Sequence, residues 1–324
     1  MLAALVPISA ITMFFHWRNK IKLDGTRNCL NGSPSAAPEL HADDVATYSS
    51  CVELPCVRIF FAAGVLITYY VLLTDAVNAY ANAPGPTKKT YIRVDAAYIT
   101  WYKARFDVTL TADMVVEALH ALQGHPEAGR LFETFINEIL LQRLKFTTTT
   151  HERNLYMGTF MGHTVYICRQ VDDLAIAAPT IAIGQALIAE LGTHLTLAGD
   201  SLLTKFNGVQ VEQAKQYVRL HNEDYITRLC DRYGWSITSN LHHTAYAVKE
   251  PMLLPVYKQL DVDVGPPEHS IEGRKLTATA GFQYRSLLGT IMYAYVTCRL
   301  DIGYAVTKLS QYSANPAAIH YTAL

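Results

Sequence analysis

Two carboxylates with nothing between them, Asp172-Asp173, stand between two short apolar, β-prone runs, Thr164 to Ile167 and Leu174 to Ala177. That feature narrows the possible folds more than any other. The runs have the length and composition of buried strands, and Gln170-Val171-Asp172-Asp173 has the length of a hairpin tip. Two negative charges therefore project from a rigid turn at the end of a core sheet. Asp is common in turns because its side chain bonds the local backbone. A second pair, Asp43-Asp44, lies among Pro, Ala and Ser and reads as a solvated loop. Around Asp172-Asp173 the flanks are apolar enough to be buried, so the like charges repel unless cations neutralise them. A metal site needs a third acid, and Asp75, which also ends an apolar run, is the candidate.

The rest of the chain reads as a mixed helix and strand fold. Residues 16 to 31 suggest a hairpin with Asp24-Gly25 at its turn, and 32 to 48 an irregular connection. Ile59 to Leu73 is apolar but ends in Thr74-Asp75, which fits a buried helix passing into a core strand. Thr111 to Phe146 reads as helical, broken at Gly124-His125-Pro126, with Phe132, Phe135, Ile136, Ile139 and Leu140 on one buried face. A helix is expected over Thr180 to Leu191, strands over Phe206 to Val211 and Tyr217 to Leu220, and a helix over Tyr225 to Tyr233. Leu253 to Ser270 reads as a linker, and Phe282 to Tyr312 as further helix.

Composition excludes more than it selects. A formal net charge of -1 shows none of the basic excess common in nucleic-acid binders, although a local cluster needs no net excess. Six cysteines, Cys29, Cys51, Cys56, Cys168, Cys230 and Cys298, lack metal-ligand or disulfide spacing and point to a reducing compartment. Leu2 to Phe15 is apolar yet short of the roughly 20 residues that span a bilayer, and Arg18, Lys20 and Lys22 follow it, unlike in a signal peptide. No HExxH, Walker A, GxGxxG or GxSxG motif competes, and His242-His243 reads as a pair of exposed loop histidines.

The order of motifs from about residue 16 to 324 resembles that of copia-type retrotransposon reverse transcriptases. Asp75-Ala76-Val77-Asn78-Ala79-Tyr80 is similar to the family's first catalytic motif, an aspartate followed five positions later by an aromatic. Leu122-Gln123-Gly124 through Arg130-Leu131-Phe132 resembles its template- and nucleotide-positioning motif. Val171-Asp172-Asp173 resembles its acidic hairpin, with Gln170 where tyrosine is usual. Phe206-Asn207-Gly208-Val209 resembles the motif at the primer end, and Tyr284 to Gly289 and Cys298 to Ile302 its closing blocks.

The resemblance implies an α+β right-hand polymerase of fingers, palm and thumb, its antiparallel palm sheet backed by helices. Residues 1-15 are left unassigned, 16-252 would be truncated fingers and palm, and 253-324 a linker and the start of the thumb or connection. It implies RNA-directed DNA polymerisation, with Asp75, Asp172 and Asp173 catalytic and holding two Mg²⁺ ions, or Mn²⁺ in their place. Asp173 would be the lesser ligand. Tyr80 would select deoxynucleotides beneath the incoming sugar, unless it is an ordinary core tyrosine. Gln123 and Gly124 would contact the nucleotide and admit the template backbone closely, unless they form a helix-capping turn. Lys20, Lys22 and Arg27 would grip the triphosphate, or else decorate a solvated hairpin. Phe206, Asn207 and Gly208 would steady the primer, or else belong to a core strand.

The implied partners are an RNA or DNA template with its primer, and dNTPs, with no membrane partner. The implied place is the cytoplasm, a virus-like particle or the nucleus, not the exterior. The basic run after Arg27 is shortened to Asn28-Cys29-Leu30-Asn31, and the expectation is a fragment of a polyprotein. Two other readings remain: a silent remnant that folds and at most binds nucleic acid, and a membrane protein anchored by the two apolar runs.

Overall fold

The computed structural model describes residues 11–17, 28–30, 33, 47–214, 216–235, 260 and 264–324. The chain groups into two compact units, one of residues 1–203 with 213–217, the other of 204–212 with 218–324. The expected boundary after residue 252 lies outside the described residues.

The first unit runs β1 (Ile11–Trp17), β2 (Asn28–Leu30), α1 (Leu54–Leu66), β3 (Tyr70–Ala76), α2 (Ala79–Asn82), β4 (Thr90–Arg93), α3 (Ala96–Phe106) and β5 (Val115–Glu117). It continues with α4 (Ala128–Asn137), a π-helical stretch Glu138–Arg143, β6 (Thr147–Thr148), β7 (Leu155–Phe160), β8 (His163–Gln170), β9 (Asp173–Ala178), α5 (Ile181–Gly192) and β10 (Leu197–Leu202). Two sheets result, one in the order β2-β1-β4-β5 and one of six strands in the order β10-β3-β9-β8-β7-β6. Every pairing in the six-stranded sheet is antiparallel.

Alternation along the central strands decides what the large sheet buries. Leu72, Leu174, Ile176 and Ala178 belong to a core cluster with Leu131, Phe132, Ile136, Ile139 and Leu140 from the α4 segment and Leu187 and Leu191 from α5. One face of the sheet is thus backed by two helices, and Gly184 lets α5 sit close, since a Cβ there would lie 2.6 Å from Leu72 Cδ1. Val71 points to the opposite face, where Gly64 of α1 lies against it. Helix ends are set by local chemistry: Thr180 accepts from the Ile183 amide at 3.2 Å and Asp95 from the Tyr98 amide at 2.7 Å.

The second unit holds most of a three-stranded sheet, β11 (Lys205–Phe206), β12 (Val209–Ala214) and β13 (Tyr217–His221), followed by α6 (Glu223–Tyr233), α7 (Ile271–Ala280), α8 (Tyr284–Thr297), α9 (Gly303–Ser310) and α10 (Ala318–Ala323). Its core gathers Leu260, Tyr284, Leu288, Ile302, Val306, Leu309 and Tyr321. The buried Tyr284 hydroxyl donates to the Leu309 carbonyl at 2.8 Å.

The expected helix over Thr180 to Leu191 is α5, and the helix-to-strand passage of Ile59 to Leu73 is α1 into β3. Two expectations are corrected. Thr111 to Gln123 is not helical: a turn at Thr111–Met114 leads into β5, because the β-branched pair Val115-Val116 pairs with Arg93 and Ile92 of β4. Phe206 to Val211 is not one strand but a tight hairpin, because Asn207 and Gly208 both take left-handed φ, 47° and 80°, the conformation of a two-residue turn. The apolar stretch Leu2 to Phe15 supplies β1 from Ile11 onward, paired parallel to β4 and antiparallel to β2. Asp43-Asp44 and His242-His243 lie outside the described residues. Among the described residues no helix is long and apolar enough to cross a membrane.

Candidate active site

The sheet register brings the three aspartates to one end of the six-stranded sheet. β3 and β9 pair so that Asp75 stands directly opposite Asp173. β8 and β9 pair as far as Gln170 opposite Asp173, leaving Val171-Asp172 as a two-residue turn. The Ala76 amide donates to the Asp172 carbonyl at 3.0 Å, which ties that turn to β3. By alternation Asp75 and Asp173 project away from the face that packs on α4 and α5, since Ala76 and Leu174 carry that face. Directly opposed residues in an antiparallel pair have Cβ atoms about 5 Å apart, and like charges there are destabilising. Three half-buried carboxylates thus belong to one end of the sheet.

The turn also carries backbone strain. Val171 takes a left-handed φ of 56°, a conformation in which a β-branched residue is an outlier. Beneath it lies Arg169, among the largest fully buried side chains of the described residues, at 1% exposure. Its guanidinium donates to the Val171 carbonyl at 3.4 Å, to the Tyr156 hydroxyl at 3.2 Å and to the Asn154 side-chain oxygen, and pairs with Glu133 at 3.4 Å. Glu133 accepts from the Ser50 amide at 2.9 Å and from its hydroxyl. Tyr156 donates to Asn137 of α4 at 2.7 Å. Asn154 donates through its side chain to Glu152, which also accepts from the Glu53 amide at 3.0 Å. The sequence reading missed this network; its one visible signal was an arginine directly after the apolar run Val165 to Cys168.

Tyr80 sits in α2, after Asn78 at a left-handed φ of 50°. Its ring packs edge-on against Phe132 at 6.2 Å. Burial, and then the nearby Asp172 charge, push its hydroxyl above the usual tyrosine range. Tyr80 is thus both a core contact and a neighbour of the acidic turn.

Gln123 and Gly124 are held by the chain's own backbone. The Leu30 amide donates to the Gln123 carbonyl at 2.8 Å, and a Cβ on Gly124, whose φ is +93°, would lie 2.1 Å from the Leu30 carbonyl oxygen. The close backbone approach expected of a template is made here by β2. Phe206, Asn207 and Gly208 lie in the second unit, with Phe206 buried and Gly208 against the Tyr293 hydroxyl, 2.5 Å from where a Cβ would be. Lys20, Lys22 and Arg27 lie outside the described residues.

Among the described residues, no three or more His, Cys, Asp or Glu side chains form a ready-made metal cage. The aspartates nonetheless fit magnesium, because this hard ion takes oxygen ligands, keeps several waters and is usually held by one or two carboxylates plus substrate phosphates. Asp75 and Asp173, opposed in the β3–β9 register, and Asp172 on the adjoining turn carry oxygen donors of that kind.

The chain matches the family model described as "Reverse transcriptase (RNA-dependent DNA polymerase)" over residues 26–249. It is 26% identical over 209 residues to a transposon Ty5-1 protein of Saccharomyces cerevisiae, covering 64% of this chain and 61% of that one. It is 23% identical over 282 residues to the retrovirus-related Pol polyprotein from transposon RE1 of Arabidopsis thaliana, covering 87% of this chain and 17% of the polyprotein. The chain thus spans only part of the length of these relatives. A telomerase from Candida albicans, solved with a fragment of telomeric RNA, aligns with 96% of this chain and 61% of its own at a TM-score of 0.35 and 9% identity, too slight a likeness to inform the fold.

Proposed function

The chain belongs to the reverse transcriptase (RNA-dependent DNA polymerase) family, and from that premise we propose that it is the polymerase domain of a copia-type retrotransposon Pol polyprotein, extending a primer on an RNA or DNA template with dNTPs. The observation that carries the reading is the pairing of Asp75 with Asp173 across β3 and β9, with Asp172 on the adjoining turn. The six-stranded antiparallel sheet backed by α4 and α5 is the palm in this reading. The sheet of β2, β1, β4 and β5 belongs to the fingers, and the helices after residue 270 to the thumb or connection.

Asp75, Asp172 and Asp173 would hold two divalent ions, Mg²⁺ or Mn²⁺, with Asp173 the lesser ligand. Bound there, such ions lower the pKa of the primer 3′-hydroxyl and neutralise the charge that builds on the α-phosphate and the leaving pyrophosphate. The protein's own contribution is placement. The β3–β9 register sets Asp75 opposite Asp173, and Asp172 follows on the adjoining turn, which supports this reading. Tyr80, one turn of chain beyond Asp75 and anchored on Phe132, presents its ring where a 2′-hydroxyl would clash, so it selects deoxynucleotides. Gln123 and Gly124, braced by β2, line the nucleotide's side. Lys20, Lys22 and Arg27 grip the triphosphate, and Phe206, Asn207 and Gly208 steady the primer. The chain would act inside the cell, in the cytoplasm, a virus-like particle or the nucleus.

The test is incubation of the purified protein with a primed RNA template, dNTPs and Mg²⁺, beside an Asp172→Asn variant. Extension by the parent that is lost in the variant supports the reading. Absence of extension by a folded parent that still binds primed template overturns it in favour of a silent, nucleic-acid-binding remnant.

A further inference from the structure

Arg169 is buried as deeply as any core leucine, yet the metal and substrate roles described above give it nothing to do. A buried guanidinium is expensive unless its donors are met. Those of Arg169 converge from three directions: the Val171 carbonyl in the acidic turn, Tyr156 and Asn154 on and beside β7, and Glu133 on α4. Glu133 is itself anchored by Ser50, and Asn154 by Glu152, which caps the approach to α1 through the Glu53 amide. The one contact this network makes with the turn is on the strained residue. A valine at φ 56° relaxes toward ordinary β or α backbone if nothing opposes it. That relaxation would swing Asp172 and uncouple its carbonyl from the Ala76 amide.

We propose that Arg169 is a positioning residue that clamps the Val171-Asp172 turn, so that the strained two-residue hairpin holds Asp172 in line with the Asp75–Asp173 pair. Arginine suits this because its planar fork presents several donors in fixed directions, whereas lysine offers one flexible point charge. Only Arg reaches the turn carbonyl, a tyrosine hydroxyl and two side-chain oxygens at once from inside a sheet. The inference rests on the proposed role of the aspartates for its functional meaning, but its structural content is independent of catalysis.

The experiment is amide hydrogen exchange on the intact protein without metal or substrate, reading Ala76 and Val171 to Asp173 against the β8 and β9 interior, Val165 to Ile167 and Leu174 to Ala177. Arg169→Lys is compared with the parent. Because a lost fork strands Glu133, Arg169→Met combined with Glu133→Gln is the second variant, in which Glu133 is not left as a charge without its guanidinium. The clamp predicts that exchange at Ala76 and the turn quickens about tenfold or more while the strand interiors keep their protection, as for a local opening. Adding Val171→Gly, which removes the strain, shrinks that difference to within about twofold, since coupled residues show non-additive effects.

Exchange at the turn unchanged in both variants overturns the proposal. So does a uniform loss of protection across β8 and β9 in the doubly substituted protein, which marks an ordinary core role. These outcomes are read without any polymerase assay, so an inactive parent leaves the test intact. If the parent is active, the clamp further predicts a fall in kcat with little change in the KM for dNTP.

Discussion

Replacing Gly124 with alanine separates a structural glycine from one reserved for nucleic acid. The added Cβ would lie 2.1 Å from the Leu30 carbonyl oxygen, 2.8 Å from its nitrogen and 2.9 Å from its carbonyl carbon, all backbone atoms with no rotamer to escape into. The φ of +93° adds strain of about 1–2 kcal/mol for a residue with a Cβ. Displacing β2 breaks the 2.8 Å bond from Leu30 to Gln123, worth about 1 kcal/mol. It also partly exposes Leu30, now 5% accessible, whose full burial is worth about 2 kcal/mol. Gly124→Ala should therefore destabilise the protein by about 2–5 kcal/mol, read as a lowered urea midpoint with an unchanged slope. A change below about 0.5 kcal/mol, the ordinary range of surface substitutions, accompanied by weakened template binding, would refute the reasoning and return the close approach to nucleic acid.

Other substitutions and titrations probe the frame around the acidic turn. Ile136→Ala, at a site with 0% exposure in the core between α4 and the sheet, should cost about 2–5 kcal/mol in urea unfolding. Burial, opposed by Glu127, holds the buried His125 below its ordinary pKa of 6.5, so the unfolded chain binds the proton more readily. Its stabilising contribution is complete above pH 6.5 and is lost as pH falls below that value. Melts from pH 7.5 to 5 should show this loss, and His125→Gln should flatten it. Cys168 is fully buried, and burial, then Glu152, push its thiol well above the usual range. It should stay unalkylated by iodoacetamide at pH 8 while the exposed Cys51 reacts, and mass spectrometry of native and denatured samples checks both.

What could be read from the sequence was what repeats or alternates. The acidic hairpin was legible because two apolar runs flank the short polar tip that carries Asp172-Asp173, and α5 because Thr180 caps a periodic apolar stretch. Asp75 could be picked out because it ends an apolar strand, but nothing in the sequence placed it opposite Asp173 rather than elsewhere on the rim. That is a register, fixed by tertiary pairing. The Asn207-Gly208 turn was a strong local signal passed over because Phe206 and Val209 to Val211 read as one apolar run. β5 was taken for helix because a three-residue strand is too short for periodicity to outweigh its neighbours. Arg169 was invisible for a different reason: its partners Glu133, Asn154, Tyr156 and Val171 are spread along the sequence, and only the fold gathers them. Gly124 was singled out as a point of close approach for a template backbone, and that the Leu30 backbone lies against it could be learned only from the fold.

The most direct test of the paired-carboxylate site is Asp75→Asn, assayed together for Mg²⁺-dependent primer extension and for thermal stability. Asp75 faces Asp173 across the sheet, so removing its charge should abolish extension while the protein stays folded, as the melt checks. Extension at the parental rate in Asp75→Asn would contradict the account.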